Sequence, residues 1–565
     1  MQCCVRNTTL SSADQDIQTA TATAGVRVVE ALERLGVELV FGLPGVHNLA
    51  IWKALSESTI RLIGVRHEQA AVYAADGYAR ASGRLGVAVV TTGPGAANTL
   101  GATGEAMASG SPVLVIATDI PAAIRRQGTY RGSLHETRDQ TAMFGPVTKA
   151  ASLVAGAGEV AGAVIAGADA ALGAPAGPVY VGIPTDLLRR PAPELPDRHW
   201  LGPAAPPFDD TGLSEAVGLI AGAERPLIWA GGGAARAGAG GAVGAFAERL
   251  GAPVLTTYMS RGLLDPGHPW LVAGPAHAPE VGALWDEADL VIGIGTDFDG
   301  VMTQNWSMPQ PPRLICVNVD HADATKNYAA DLVLVGDARE VTERLAARVA
   351  PREATGPRSA RVAEIGAKVQ AAVLADDPAA AAFLAIMERA LPPETMVVAD
   401  MCIPGYWLAG YRRVPRPRGL AYPMGWGTLG FAFPASIGAA LAGTGPAVCV
   451  CGDGGFLFAC GELATVAQAD LPLTVVLVDD GGYGMLRFDQ ELAGDEPFGV
   501  DLVGPDFEAL ARSFGIGAAT VDGIGQDFED ALSRAIATPS PSVIVVRARL
   551  KPPPTTSPRW YRRPH

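Results

Sequence analysis

Two turns in the C-terminal third of the chain carry carboxylates in positions suited to a metal and a phosphate. PAVCVCGDGGFLFACGELATVAQA reads as a buried strand, a glycine-bracketed acid and then a helix. Gly452, Gly454 and Gly455 allow a tight turn and close approach of a ligand. Asp453 falls at the carboxyl end of the strand, where open α/β sheets bind ligands, and the free N–H groups of the next helix favour a phosphate. A second apolar strand, LTVVLV, ends in Asp479-Asp480-Gly481-Gly482-Tyr483-Gly484. Two strand ends with carboxylates and an exposed carbonyl make a hard-cation site. Mg2+ there takes few protein oxygens and completes its shell from the phosphate oxygens of a ligand. A lone Gly-Asp-Gly would carry little weight. The succession of strand, GDG, helix, strand and DDGGYG is what separates this reading from an Asp-rich turn without metal.

Four residues of the N-terminal third are further candidates. Glu68 opens a helix, where an acid is ordinarily a solvated side chain. His135, in GSLHETRDQTAMFGPVTK, suits a proton donor or a substrate ligand, although a lone His is more often structural. His47-Asn48, in FGLPGVHNLAIW, fits a site entrance and a capped helix start equally well.

Such groups need rigid strands behind them, and the chain supplies these. Its 565 residues are enough for three or four domains. Hydrophobic residues make up 48 % and charged residues 18 %, a balance that fills large cores and excludes a disordered chain. Residues 1–22 are polar and are expected to form a mobile tail. From 23 to 190 helical periodicity alternates with short apolar strands such as VAVV and SPVLVIATD. A Pro-rich linker leads to a second such block at 205–350, with RPLIWAGGG and ADLVIGIGTD, and another linker to a third at 365–550. Residues 551–565 form a C-terminal tail. Alternating strands and helices predict an α/β fold of three domains, each a mostly parallel sheet flanked by helices.

With 43 basic and 58 acidic residues the net charge is −15, and no basic block stands out, so no nucleic-acid partner is expected. Seven cysteines, an odd number without zinc spacing, together with an N-terminus lacking an apolar signal core, predict a cytoplasmic protein. The charge-free run 431–452 is broken by Pro434, Pro446 and glycines and reads as a buried helix and strand, so no membrane span is expected.

The GDG-to-DDGG segment resembles the motif of thiamine diphosphate (ThDP) enzymes, which begins GDG and ends in an Asn pair. The resemblance implies that Asp453 and Asp480 are side-chain ligands of Mg2+, with Gly482 offering its carbonyl, and that Gly454, Gly455 and Tyr483 line the cofactor. Both Asn positions are Asp here: Asp480 keeps an oxygen ligand and Asp479 adds a charge. VRHEQAAVYAADGYARASGRLGVAVVTTGPGAAN is similar to the pyrimidine-binding domain of the acetolactate synthase and decarboxylase branch, which makes Glu68 the cofactor-activating glutamate. YPMGWGTLGFAFPASIGAAL resembles the segment that grips the aminopyrimidine, with Leu429 as the apolar wedge and Gly427 as the carbonyl beside the 4′-amino group. The resemblance spans roughly 23–550 and implies an active site shared between subunits, hence a homodimer or homotetramer.

For the reaction, the resemblance implies decarboxylation of a 2-oxo acid and transfer of the acyl-anion equivalent to an aldehyde or 2-oxo acid acceptor. The alternatives are simple decarboxylation releasing an aldehyde, and a catalytically inactive paralogue. Pro146, Thr148 and Lys149 match the synthases, and His135 stands where they carry Gln. Asp297 and Val301 replace two arginines of the synthase pattern, the second of which faces the acceptor carboxylate. This counts against acetolactate formation and against FAD, with Arg261 as a candidate substitute. Ile403 and Pro404 replace diphosphate-contacting Gln and His. Trp560 and Tyr561 of the tail either cover the site or dock on the surface.

Overall fold

The computed structural model describes residues 22–126, 128–196, 200–203, 208, 210–352 and 356–554. The tail expectations for residues 1–21, and for Trp560 and Tyr561, lie outside the described residues. The chain folds around three sheets in which every strand pairing is parallel. The first has six strands, in the order Arg61–Gly64, Leu39–Gly42, Gly86–Val90, Val113–Asp119, Val179–Pro184, Ala150–Leu153. The second, of five strands, centres on Leu290–Ile294. The third has six, with Ala447–Gly452 and Leu473–Asp479 side by side in its middle. Central strands such as Gly86–Val90 are buried throughout, as uninterrupted apolar runs should be when helices cover both faces.

Helix Glu68–Ser82 ties the first sheet to the third. His67 caps it by accepting from the Gln69 N–H, and Gly83 ends it at φ 74°. Its Ala- and Gly-rich surface lets it lie backbone to backbone against helix Ala432–Leu441. A Cβ on Gly77 would sit 1.9 Å from the Ala435 carbonyl oxygen, and one on Gly438 would sit 1.8 Å from that of Ala74. Gly438→Ala is therefore expected to force the helices apart and to cost about 3 kcal/mol, read as a fall of several degrees in the thermal midpoint.

Among the described residues no helix is long and apolar enough to cross a membrane.

Candidate active site

Parallel pairing sets Gly452 opposite Val478, so the two acidic turns leave the third sheet side by side. Asp453 is buried, and one carboxylate oxygen (Oδ1) of Asp453 and of Asp480 is buried with no hydrogen-bond partner. Burial and then the charges of Asp480 and Asp479 push Asp453 up to about 7. Burial also raises Asp480, with Arg487 and Arg549 acting the other way. Two facing carboxylates with unmet oxygens are the arrangement a divalent cation relieves.

The rest of the turn fits close approach of a ligand. The point where a Cβ of Gly454 would stand is 2.8 Å from the Tyr483 ring and 3.3 Å from the Gly482 carbonyl oxygen. Gly482 itself has φ 151°, and a Cβ there would meet the Val500 carbonyl at 2.2 Å. Asp479, the added charge, closes its own turn by accepting from the Gly481 N–H at 3.3 Å. Arg487 donates to the Gly481 carbonyl (3.2 Å) and to Asp501 (2.6 Å), while Arg549 donates to the Asp480 carbonyl (3.2 Å).

A buried carboxylate that the sequence did not single out organises the neighbouring loop. Asp400 accepts from the N–H groups of Met401 (3.0 Å), Gly430 (3.0 Å) and Phe431 (3.3 Å). Burial pushes it up to about 6 against these bonds. A Cβ on Gly455 would stand 2.5 Å from its carboxylate, so Asp400 joins the loop holding Gly427 and Leu429 to the turn after Asp453. Gly427 and Gly430, at φ 72° and 78°, bracket a half-buried Leu429.

On the first sheet, buried Glu68 accepts from the Asn98 side-chain amide at 2.9 Å. The two residues before it are fixed from the third sheet's side of the chain: one oxygen of buried Glu462 accepts from the N–H groups of Arg66 (2.9 Å) and His67 (3.0 Å). Only the fold shows this contact, since nearly 400 residues separate the partners. Beyond Glu68, a Cβ on Gly95 would meet its carboxylate at 3.3 Å and Thr91 at 2.6 Å, and one on Gly45 would meet Thr91 at 2.5 Å. A Cβ on Gly93 would meet the His135 carbonyl at 2.5 Å. Glu68, Thr91, the loop at 45–48 and His135 thus come together at the carboxyl ends of the strands.

His135 sits at φ 66°, a conformation uncommon for a side chain with a Cβ and frequent where geometry serves a site. His47 meets it edge to face, with ring centroids 5.3 Å apart. The capped helix start expected at 47–48 does not form: Asn48 stands before helix Leu49–Ser56 without a side-chain bond to it. Asn48 braces its loop, accepting from Gly45 N–H (2.8 Å) and donating to the Leu43 carbonyl (3.1 Å), and His47 turns to His135.

The central domain holds its own candidates in structural roles. Arg261 is buried and donates to the carbonyls of Ala409 (3.1 Å) and Gly410 (2.7 Å), which docks that domain on helix Ile403–Tyr411. Asp297 pairs with Lys326 at 2.8 Å, and Val301 is exposed. In the glycine-rich turn the Gly233 N–H donates to the Gly295 carbonyl (2.8 Å), and a Cβ on Gly233 would stand 2.8 Å from Gly295. These glycines pack against their neighbouring strand end.

Comparison with known proteins agrees with this division into three units. Residues 22–143 match the model of the thiamine pyrophosphate enzyme N-terminal TPP binding domain, residues 213–345 its central domain and residues 401–546 its C-terminal TPP binding domain. The chain belongs to the thiamine pyrophosphate enzyme family. Thiamine pyrophosphate is another name for ThDP, and the chain is a ThDP-dependent enzyme acting on 2-oxo acids. It is 40 % identical to a probable 2-ketoarginine decarboxylase of Pseudomonas aeruginosa over 88 % of this chain and 89 % of that protein. It is 33 % identical to an acetolactate synthase large subunit of Parasynechococcus marenigrum, over 94 % and 88 %. With a probable acetolactate synthase large subunit of Methanocaldococcus jannaschii it shares 31 % identity, over 87 % and 86 %.

Proposed function

We propose that this thiamine pyrophosphate enzyme decarboxylates a 2-oxo acid and delivers a proton to the carbon that has lost CO2, releasing an aldehyde. The observation that carries the reading is the His47–His135 pair, packed on the Gly93–Gly95 turn that also adjoins Glu68. It is joined by the replacement of the synthase arginines: Asp297 and Val301 stand in their positions, and Arg261 is spent on the carbonyls of Ala409 and Gly410. The relative named as a 2-ketoarginine decarboxylase points to a 2-oxo acid with a cationic side chain.

ThDP, when bound, supplies the electron sink that makes loss of CO2 feasible. The unmet oxygens of Asp453 and Asp480, with the Gly482 carbonyl, fit Mg2+. The turn at Gly454 and Gly455, beside Tyr483 and at the start of helix Asp453–Leu457, would take the diphosphate, and Gly427 and Leu429 would hold the aminopyrimidine. Glu68 would hydrogen-bond the pyrimidine ring and favour the tautomer that takes the thiazolium proton. His135 would donate the proton to the product carbon. The enzyme would work in the cytoplasm as a homodimer or homotetramer, with units at 23–190, 205–350 and 365–550.

Carboligation, the first expectation from the sequence, is here the second reading, favoured by the acetolactate synthases at 33 % and 31 % identity. Product analysis with pyruvate, phenylpyruvate and 2-ketoarginine, each with and without an added aldehyde, separates the two. Free aldehyde and CO2 in equal amounts in every mixture are expected. A ligated hydroxyketone as the main product overturns the decarboxylase reading.

A further inference from the structure

The segment 422–431, between strand Leu420–Ala421 and helix Ala432–Leu441, carries Gly427 and Leu429 without being helix or strand itself. Its own backbone bonds, from the Met424 N–H to the Tyr422 carbonyl (2.9 Å) and from the Gly427 N–H to the Pro423 carbonyl (3.2 Å), lie in its first half. Buried charges from two domains hold its ends. At one end Asp400, 1 % exposed, accepts from the Gly430 N–H through Oδ2 (3.0 Å) and from the Phe431 N–H through Oδ1 (3.3 Å). At the other end Arg80, from the first domain, donates to the Tyr422 carbonyl at 3.0 Å. Its guanidinium carbon also lies 4.7 Å from the centroid of the Phe431 ring, so Arg80 touches both ends.

Arg80 is fixed in its turn. Asp76 accepts two bonds from it (2.8 and 2.7 Å) and Glu105 one (3.0 Å). Helix Leu100–Ala108, which carries Glu105, backs the middle of the segment. A Cβ on Gly104 would meet the Trp426 ring at 2.9 Å, and one on Gly425 would meet the Ala108 Cβ at 2.5 Å. Charges buried in this way lower stability unless they are bonded, and the bonds they make stiffen what they hold. Here they hold the two ends of one segment, on either side of Gly427 and Leu429.

We propose that Asp400 and Arg80 are positioning residues, a clamp across two domains that keeps the segment 422–431 in its working shape before the cofactor arrives. This rests on the assignment of Gly427 and Leu429 to the aminopyrimidine made above. Asp400 and Arg80 act through the segment, and their effect falls on rate more than on affinity. A group misplaced by about 1 Å can cost on the order of 100-fold in rate while the ligand still binds. The same Asp400 carboxylate stands 2.5 Å from where a Cβ of Gly455 would be, so the clamp also keeps the segment in register with the turn after Asp453.

Asp400→Asn tests the clamp, because the amide NH2 that replaces one oxygen cannot accept a bond and leaves a backbone N–H of the segment unpaired. Two measurements on the full chain are read together. In the protein without cofactor, amide hydrogen exchange over 422–431 is expected to quicken about tenfold or more. With ThDP and Mg2+, on whichever of pyruvate, phenylpyruvate or 2-ketoarginine the wild type consumes, kcat is expected to fall about 10–100-fold. Substrate KM and the ThDP Kd from calorimetry should stay within about threefold of wild type. Unchanged exchange overturns the clamp, and so does quickened exchange with kcat intact. A fall in kcat accompanied by a comparable loss of ThDP affinity marks general damage and overturns it too. Arg80→Lys keeps the charge beside Asp76 and Glu105 but gives up the fork that reaches Tyr422. It should show the same pattern in weaker form and carries the test if Asp400→Asn does not fold. Leu429→Ala checks the assignment underneath: full turnover in that variant removes the segment from the aminopyrimidine, and the clamp with it, whatever the other two variants do.

Discussion

Glu68→Gln is expected to lower turnover by about 10²–10⁴-fold while ThDP and Mg2+ still bind, the range general acid–base groups contribute. The variant separates chemistry from structure because Gln keeps what the fold asks of this position. Glu68 is held by one side-chain bond, from the Asn98 amide at 2.9 Å, and a Gln carbonyl oxygen accepts that bond equally well. The helix it opens is capped by His67 and anchored by Glu462, neither of which touches the carboxylate. What Gln lacks is a carboxyl group able to share a proton with the pyrimidine ring. Turnover in the mixed product assay, ThDP binding by calorimetry and the thermal midpoint should therefore divide: the first lost, the other two near wild type. Asn98→Ala makes the complementary variant. It leaves the carboxyl in place and removes its one brace, so a smaller loss, about tenfold, is expected. Full activity in Glu68→Gln would remove the proposed activation route.

The parts of this site that lie close in sequence are legible from it, and the parts assembled by the fold are not. Asp453 and Asp480 can be paired from sequence alone because each ends an apolar strand, and adjacent parallel strands deliver their ends to one edge. The glycines round them carry the same message, since a ligand and a backbone approach only where no Cβ intrudes. Asp400 leaves no such mark. Its sequence, ADMCIPG, reads as an ordinary strand end, and its role arises from three N–H groups, two of which come from residues 430 and 431. Glu462 is hidden in the same way, inside a helix start whose partners are Arg66 and His67. His47 is visible but ambiguous. Periodicity locates it at a helix entrance and is silent about a ring in another loop, so only the contact with His135 decides between cap and site. The replacement at 479 shows the converse. Read as a sequence it is an extra charge beside a metal site. In the fold it accepts from the Gly481 N–H and shapes the turn.

Asp453→Asn should produce two effects of opposite sign, and their combination is diagnostic of a cation site. With Mg2+ present, the loss of one carboxylate from a two-carboxylate site is expected to weaken ThDP binding by about 100-fold or more, measured by calorimetry or by quenching of tryptophan fluorescence. Without metal and cofactor the same variant should be more stable than wild type. Asp453 is buried and Asp480 half-buried, and each has one buried oxygen without a partner. Replacing one ionisable group by a neutral amide removes both desolvation and repulsion, a gain on the order of 2 kcal/mol. The sign with pH follows from Asp453 being raised to about 7 in the folded chain. A raised acid binds its proton more tightly folded than unfolded, so wild-type stability falls as pH climbs from the ordinary carboxylate range through 7. The advantage of Asp453→Asn should accordingly be larger at pH 8 than at pH 5. Position 480 provides the internal control. Asp480→Asn keeps a side-chain oxygen, matches the residue ThDP enzymes carry there, and is expected to retain cofactor binding within about threefold, whereas Asp480→Ala should lose it about as fully as Asp453→Asn. If the alanine variant bound ThDP as well as the asparagine variant, the oxygen at 480 would not be a ligand, and Asp453 and the Gly482 carbonyl would have to hold the ion without it.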